Sequence, residues 1–270
     1  MSLTGEYIRS WQYYLIPAAP TKSAPYFKLL HFNFQMDTLQ IIAFDADDTL
    51  WVNEPHYQHM EQQFGELLAD FLPPHAAAQE LFKTEMQNLA LYGYGAKGFV
   101  LCMVETAVRV SAGAMSMPVV EKILDYGKAL LNQPVELLDG VEDVLEALQG
   151  RYRLVVATKG DLLDQERKLK KSGLERYFHH IEIMSDKQPA DYRKLLKHLD
   201  IPASDFLMVG NSLRSDILPV LDLGGHAWHV PFHTTWEHER VEQLVAHPKL
   251  QQLTSIRQVP ERLLAMRNIR

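Results

Sequence analysis

The sequence predicts an α/β fold: a parallel sheet with helices on both faces, interrupted once by an all-helical insert. Two observations carry this. From about Glu136 onward, short apolar runs alternate with helical patterns, the order that builds right-handed parallel crossovers in a sheet covered on both faces. Ahead of that region, one strand-like run is followed by about eighty residues of purely helical spacing.

The first run, Leu39–Phe44, is too short for a typical helix and rich in branched and aromatic residues, as a buried strand is. Helical spacing covers Glu54–Leu72 and stops at Pro73-Pro74, then returns over Ala76–Tyr92, Phe99–Ser111 and Val119–Leu131. The loops Tyr92–Gly98 and Gly113–Pro118 separate these helices. Beyond them come a helix at Val141–Leu148, a strand at Tyr152–Ala157, and a helix at Leu162–Ser172 closed by Gly173. Strands at His180–Met184, Phe206–Val209 and Ala227–Val230 continue the alternation, with helices at Asp191–His198 and Leu213–Leu223 between them. The expected organisation is an N-terminal extension over 1–35, poorly ordered or loosely packed, a core over 36–53 and 136–270, and a helical cap over 54–135.

The 270 residues, 47% hydrophobic and 23% charged, suit one or two globular domains. A formal charge of -7 argues against a nucleic-acid partner, which calls for a basic face. Cys102 is the single cysteine and lies in an apolar, helix-like run, so disulfide and zinc frameworks are excluded and a cytoplasmic setting is expected. No apolar run approaches the ~20 residues of a membrane span, and the short run Trp11–Ala19, preceded only by Arg9, is a poor signal sequence.

Ligands of open parallel sheets bind outside the carboxyl ends of the strands. Polar residues gather at those ends. Asp45 and Asp47, two apart after the first strand, can supply a nucleophilic carboxylate and a second carboxyl that gives and takes a proton. Thr158 offers a hydroxyl for phosphoryl oxygens and Lys187 a positive charge, while Asn211 and Asp216 offer oxygens for a hard cation such as Mg²⁺.

Asp45-Ala46-Asp47-Asp48-Thr49, Thr158 after Val155-Val156-Ala157, Lys187, and Gly210-Asn211-Ser212-Leu213-Arg214-Ser215-Asp216 stand in an order that resembles the haloacid dehalogenase-like hydrolase superfamily. The resemblance spans about Met36 to at least Val230 and implies a Rossmann-like parallel sheet with an inserted helical cap. It implies that Asp45 is the nucleophile that becomes phosphorylated and, with the Asp47 backbone carbonyl, a ligand of Mg²⁺. Asp47 would be the acid and then the base, Thr158 and Lys187 would hold the phosphoryl group, and Thr49 would shape the turn. The implied reaction is Mg²⁺-dependent hydrolysis of a small phosphorylated metabolite.

Two departures keep other readings open. Asn211 stands where the family commonly has a metal-binding aspartate, and the proline that commonly follows the motif lysine is shifted to Pro189, which makes Lys159 a second candidate for the phosphate-binding lysine. The metal-independent 2-haloacid dehalogenases carry a similar asparagine but lack the second aspartate. A binding or regulatory module on the same fold is the third reading.

Other residues fit plain roles as well as functional ones. Tyr94 and Lys97, in the cap loop, are candidates for contacting the leaving group of the substrate. Arg214 suits substrate or a surface ion pair equally. The run Arg167–Lys171 reads as a solvated helix face, His226, His229, His233 and His238 as scattered residues without ligand spacing, and Trp228 and Trp236 as packing residues.

Overall fold

The computed structural model describes residues 39–267, so the expectation for the extension 1–35 lies outside the described residues. Ile41–Phe44 forms β1, fully buried, and its side chains alternate between two apolar layers: Ile42 and Phe44 face one, Ile41 and Ala43 the other. The remaining strands are β2 (Arg153–Lys159), β3 (His180–Met184), β4 (Phe206–Gly210), β5 (His226–His229) and β6 (Leu250–Gln252). They pair in parallel in the order β3-β2-β1-β4-β5-β6. Phe44 lies opposite both Val156 and Val209, so β1 and β4 end within one residue of each other, while β2 runs on past them to Lys159. The strand order reverses at β1, where ligands of such sheets gather.

Between β1 and β2 the chain forms α1 (Glu54–Leu67), α2 (Pro74–Tyr92), α3 (Ala96–Val110) and α4 (Met117–Asn132). These helices have their own apolar centre, built on Met60, Phe64, Leu81, Phe99, Met103 and Ile123, with Cys102 buried among them. Truncating Phe64, which is fully buried, to alanine would cost about 3–5 kcal/mol.

The core helices are α5 (Val141–Leu148), α6 (Leu162–Ser172), α7 (Pro189–Leu199), α8 (Leu218–Asp222) and α9 (Gln258–Arg267). Val144 and Leu145 of α5, Leu169 of α6 and Val259 and Leu263 of α9 cover one sheet face. Tyr192, Leu195 and Leu196 of α7 and Val220 and Leu221 of α8 cover the other. Helix α6 starts at Asp161, whose carboxylate accepts the Asp164 amide at 3.1 Å, and ends at Gly173 in the left-handed conformation.

Two outcomes differ from the pattern read in the sequence. Strand β6 and helix α9 extend the core beyond Val230, where the recognised alternation ended. The helix expected over Leu213–Leu223 begins instead as a π-helical turn, Leu213–Ile217, before α8. Pro219 is the physical reason: without an N–H it cannot bond the carbonyl four residues back, that of Ser215. The buried Tyr192 hydroxyl donates to that carbonyl at 3.0 Å.

Candidate active site

The turn after β1 is folded by its own backbone. Leu50 N–H donates to Ala46 O at 2.8 Å and Asp48 N–H to Trp51 O at 2.7 Å, with Asp48 at φ 61°, a region that aspartate enters more readily than most residues. The Asp48 carboxylate accepts the amides of Asn53 at 2.8 Å and Glu54 at 3.0 Å, tying the start of α1 to the turn. Burial pushes its carboxyl up to about 7 against the pull of those amides. Asp48 therefore positions the cap.

Asp45, Lys187 and Asp216 form the buried centre. Lys187 donates to Asp45 Oδ1 and, at 2.6 Å, to Asp216 Oδ1. The other Asp216 oxygen accepts the Ser212 amide at 2.9 Å, so both of its oxygens are engaged. A Cβ at residue 210 would overlap the Asp216 carboxylate, and Gly210 is what lets that carboxylate fold back on the end of β4. Burial, then Asp216, push Asp45 up to about 7 against Lys187. Burial pulls the Lys187 ammonium down, but Asp216 and Asp45 outweigh it and hold it above its usual range.

Thr49 joins the first and fourth motifs. Its hydroxyl accepts Asn211 N–H at 3.1 Å and lies 3.2 Å from both Asp45 Oδ2 and Asn211 Oδ1. His229, at the end of β5, bonds the Asn211 carbonyl at 2.8 Å from behind. One hydroxyl hydrogen cannot serve two acceptors, so Asp45 or Asn211 keeps an oxygen with uncommitted lone pairs.

Asp47 is gripped by three side chains. Trp51 Nε1 donates at 2.7 Å, Gln165 Nε2 at 2.9 Å, and Lys168 Nζ lies 2.6 and 2.9 Å from the two carboxylate oxygens. Gln165 Nε2 also donates to Lys159 O at 2.8 Å and lies 3.2 Å from Thr158 Oγ1, linking the first and second motifs. This corrects the reading of Arg167–Lys171 as a solvated face at Lys168, whose side chain is only 17% exposed, while Lys170 and Lys171 are exposed. Gln165 and Lys168 stand three apart on one side of α6, a spacing visible in the sequence, but only the docking of α6 beside the β1 turn turns that side toward Asp47.

Lys159 and Lys187, rivals in the sequence, go to different places. Lys159 pairs with Glu239, bonds Ser215 Oγ at 2.8 Å and lies 4.1 Å from the centre of the Tyr94 ring. Glu239 also accepts the hydroxyls of Ser212 and, at 2.7 Å, Ser215. Burial would raise its carboxyl, yet Lys159 and the two serines hold it down at about 2. The sequence offered no local signal for Glu239, which arrives from an irregular segment beyond β5.

Tyr94 lines the site, with its hydroxyl on Asp186 at 3.1 Å and its ring edge-on to Trp236 at 6.1 Å. Lys97 does not line it. Its ammonium bonds both oxygens of Asp161 at 2.9 and 3.0 Å, pinning the cap loop to the start of α6, where Gly95 at φ 102° comes against the Asp161 backbone. Arg214 is exposed and donates to the His238 carbonyl at 3.1 Å. Between cap and core lies an open-mouthed cavity of about 170 Å³ lined by Asp45, Asp47, Thr158, Lys159, Lys187, Asn211 and Asp216, with Glu54, Glu85 and Tyr94 on the cap side.

Among the described residues no three His, Cys, Asp or Glu side chains are grouped to hold a metal. A cation here would draw on an amide and a carbonyl as well. Two buried carboxylates sharing one ammonium, beside an uncommitted oxygen of Asp45 or Asn211, are chemically suited to a hard cation.

Nucleophile-competent carboxylate, ammonium and hydroxyl thus meet at the switch point of a parallel sheet under a helical lid, the arrangement of a hydrolase. A family model of haloacid dehalogenase-like hydrolases matches residues 39–224, and the chain belongs to that family. A haloacid dehalogenase-like family hydrolase from Xanthomonas campestris is 36% identical, with a TM-score of 0.77 over 85% of this chain and 92% of its own. A 2-haloacid dehalogenase from Pseudomonas syringae pv. Tomato DC3000 is 19% identical, with a TM-score of 0.58 over 84% of this chain and 99% of its own. A predicted phosphoglycolate phosphatase from Haemophilus somnus 129pt is 16% identical, with a TM-score of 0.56 over 84% and 98%. At such identities the last two share the fold alone. No curated protein matches the chain. No helix of the described residues is long and apolar enough to cross a membrane.

Proposed function

We propose that this chain is a Mg²⁺-dependent phosphatase that hydrolyses a small phosphorylated metabolite through a phosphorylated Asp45. The observation that carries this reading is Asp47, present two residues after Asp45 and lining the same cavity. A carboxyl group there serves phosphate-ester chemistry and has no task in ester-based dehalogenation.

In this mechanism an Asp45 oxygen attacks phosphorus, the bond to the leaving oxygen breaks, and Asp47 gives that oxygen its proton. Water then attacks the phosphorus of the acyl phosphate, Asp47 takes the proton, and phosphate departs with Asp45 restored. Thr158 and Lys187 bind the phosphoryl oxygens, and Asp216 keeps Lys187 in place. Asp45, the Asp47 carbonyl and Asn211 would hold Mg²⁺ with Asp216 nearby, and the bound cation supplies charge that offsets the repulsion between Asp45 and the anionic ester. The cavity of about 170 Å³ between cap and core favours a metabolite over a phosphoprotein, and the cap limits the access of bulk water to the acyl phosphate. A cytoplasmic setting agrees with the free thiol of Cys102.

Asn211 favours a second reading, a metal-independent 2-haloacid dehalogenase, because an amide replaces the charge that would best retain Mg²⁺. One pair of assays separates the two. Phosphate release from a panel of metabolite phosphate esters, dependent on Mg²⁺, is expected; chloride release from 2-chloropropionate without metal, and no phosphate release, contradicts the phosphatase. A protein that does neither is the binding module.

A further inference from the structure

We infer that Lys168 is the positioning residue for the proton-transfer carboxyl, holding Asp47 against the leaving oxygen and tying its place to the junction between core and cap. The inference rests on the phosphatase reading and goes beyond it, since Lys168 belongs to none of the four motifs.

The geometry is that of a clamp. Lys168 Nζ reaches both Asp47 oxygens, at 2.6 and 2.9 Å, while Trp51 Nε1 at 2.7 Å and Gln165 Nε2 at 2.9 Å fix the carboxylate from other sides. The same ammonium lies 3.2 Å from Asn53 Oδ1, immediately before the first cap helix. Neighbours on α6 reach the return crossing: Arg167 donates to the Leu131 carbonyl and Lys171 to the Gln133 carbonyl, each at 3.4 Å. Helix α6 therefore touches both places where the chain passes between core and cap, and Lys168 joins one of them to Asp47.

The ion pair is partly open to water, with the lysine 17% and the aspartate 24% exposed. Removing the lysine from a pair this sheltered lowers stability, and misplacing a reacting group by about 1 Å can cost on the order of a hundredfold in rate. The two effects separate by leaving group, because only the second depends on the ester. As the bond from phosphorus to the ester oxygen breaks, its electron pair stays on that oxygen, which takes the proton from Asp47. An alkyl ester needs that proton; a p-nitrophenyl ester, whose leaving anion is stable, does not.

The test compares Lys168→Met and Lys168→Arg with the wild-type protein on a primary alkyl phosphate and on p-nitrophenyl phosphate, with Mg²⁺ present. The quantity read is kcat/KM, which reports steps up to departure of the leaving group. Lys168→Met is expected to lose about a hundredfold on the alkyl ester and no more than about threefold on the aryl ester. Lys168→Arg should recover most of the alkyl activity, and Lys168→Met, compared below its own unfolding midpoint, should still show the difference between the two esters. Equal losses on both esters, or no loss on either, overturn the role of Lys168 while leaving the phosphatase intact. Wild-type protein that hydrolyses neither ester contradicts the phosphatase reading itself and this inference with it.

Discussion

The hydroxyl of Tyr192 donates to the carbonyl of Ser215 at 3.0 Å, in the place of the amide hydrogen that Pro219 lacks. Both groups are buried, so the bond is the carbonyl's substitute for a helical partner. It holds the π-helical turn that presents Asp216 to Lys187. Tyr192→Phe keeps the ring and removes the donor, and should lower stability by about 1–3 kcal/mol in urea unfolding. Stability unchanged within error would show that the turn does not depend on this bond.

Lys187 neutralises one of two buried carboxylates. Lys187→Met leaves Asp45 and Asp216 without a cation, at a cost of about 3–5 kcal/mol near neutral pH. Burial already raises the Asp45 carboxyl against Lys187, so without the lysine Asp45 binds its proton more tightly in the folded than in the unfolded chain, and the variant loses stability as pH rises. Urea unfolding at two pH values reads this directly, with the larger deficit at the higher pH.

Much of this was legible in the sequence, and the failures have physical causes. The strand His180–Met184 and the helices Val141–Leu148 and Leu162–Ser172 have the bounds read from periodicity and glycine stops. Strand β6 reads Leu-Gln-Gln, three residues at a sheet edge, with too little apolar pattern to announce itself. The π-helical turn was hidden because Pro219 disfavours a continuous helix without saying what replaces it. Asp45, Lys187 and Asp216 follow strands and Thr158 sits in the last pleat of β2, so topology alone gathers them at one end of the sheet. Lys168 and Glu239 reach the site through tertiary docking, of α6 in one case and of an irregular segment in the other, and residue type at one position does not encode that. Asp48 has no role that its place in the motif announces; its bonds to Asn53 and Glu54 put it at the cap junction.

Glu239 gives the fold an acid-sensitive contact. Its carboxyl is held at about 2 in the folded protein against an ordinary 4.5, so its stabilisation is complete above about pH 4.5 and is lost as pH falls toward 2. Glu239→Gln should cost about 2 kcal/mol at pH 7, and the gap from wild type should narrow through that window. Chemical denaturation at a series of pH values checks this. A gap independent of pH would mean that the Lys159 pair contributes nothing through charge.

Asn211→Asp adds a carboxylate beside Asp45, which binds a cation more strongly and repels Asp45 without one. The variant should need about tenfold less Mg²⁺ for half-maximal phosphate release and should be less stable than wild type in EDTA. A Mg²⁺ requirement equal to that of the wild-type protein would remove Asn211 from the metal site.

The central claim is that Asp45 carries the phosphoryl group. Acid-quenching the protein during turnover of a phosphate ester, then mapping its peptides by mass spectrometry, locates that group. The account predicts a phosphorylated peptide containing Asp45, absent from Asp45→Asn, with turnover in that variant reduced by at least about a thousandfold. A phosphoryl group on another residue, or an Asp45→Asn variant as active as the wild-type protein, would contradict it.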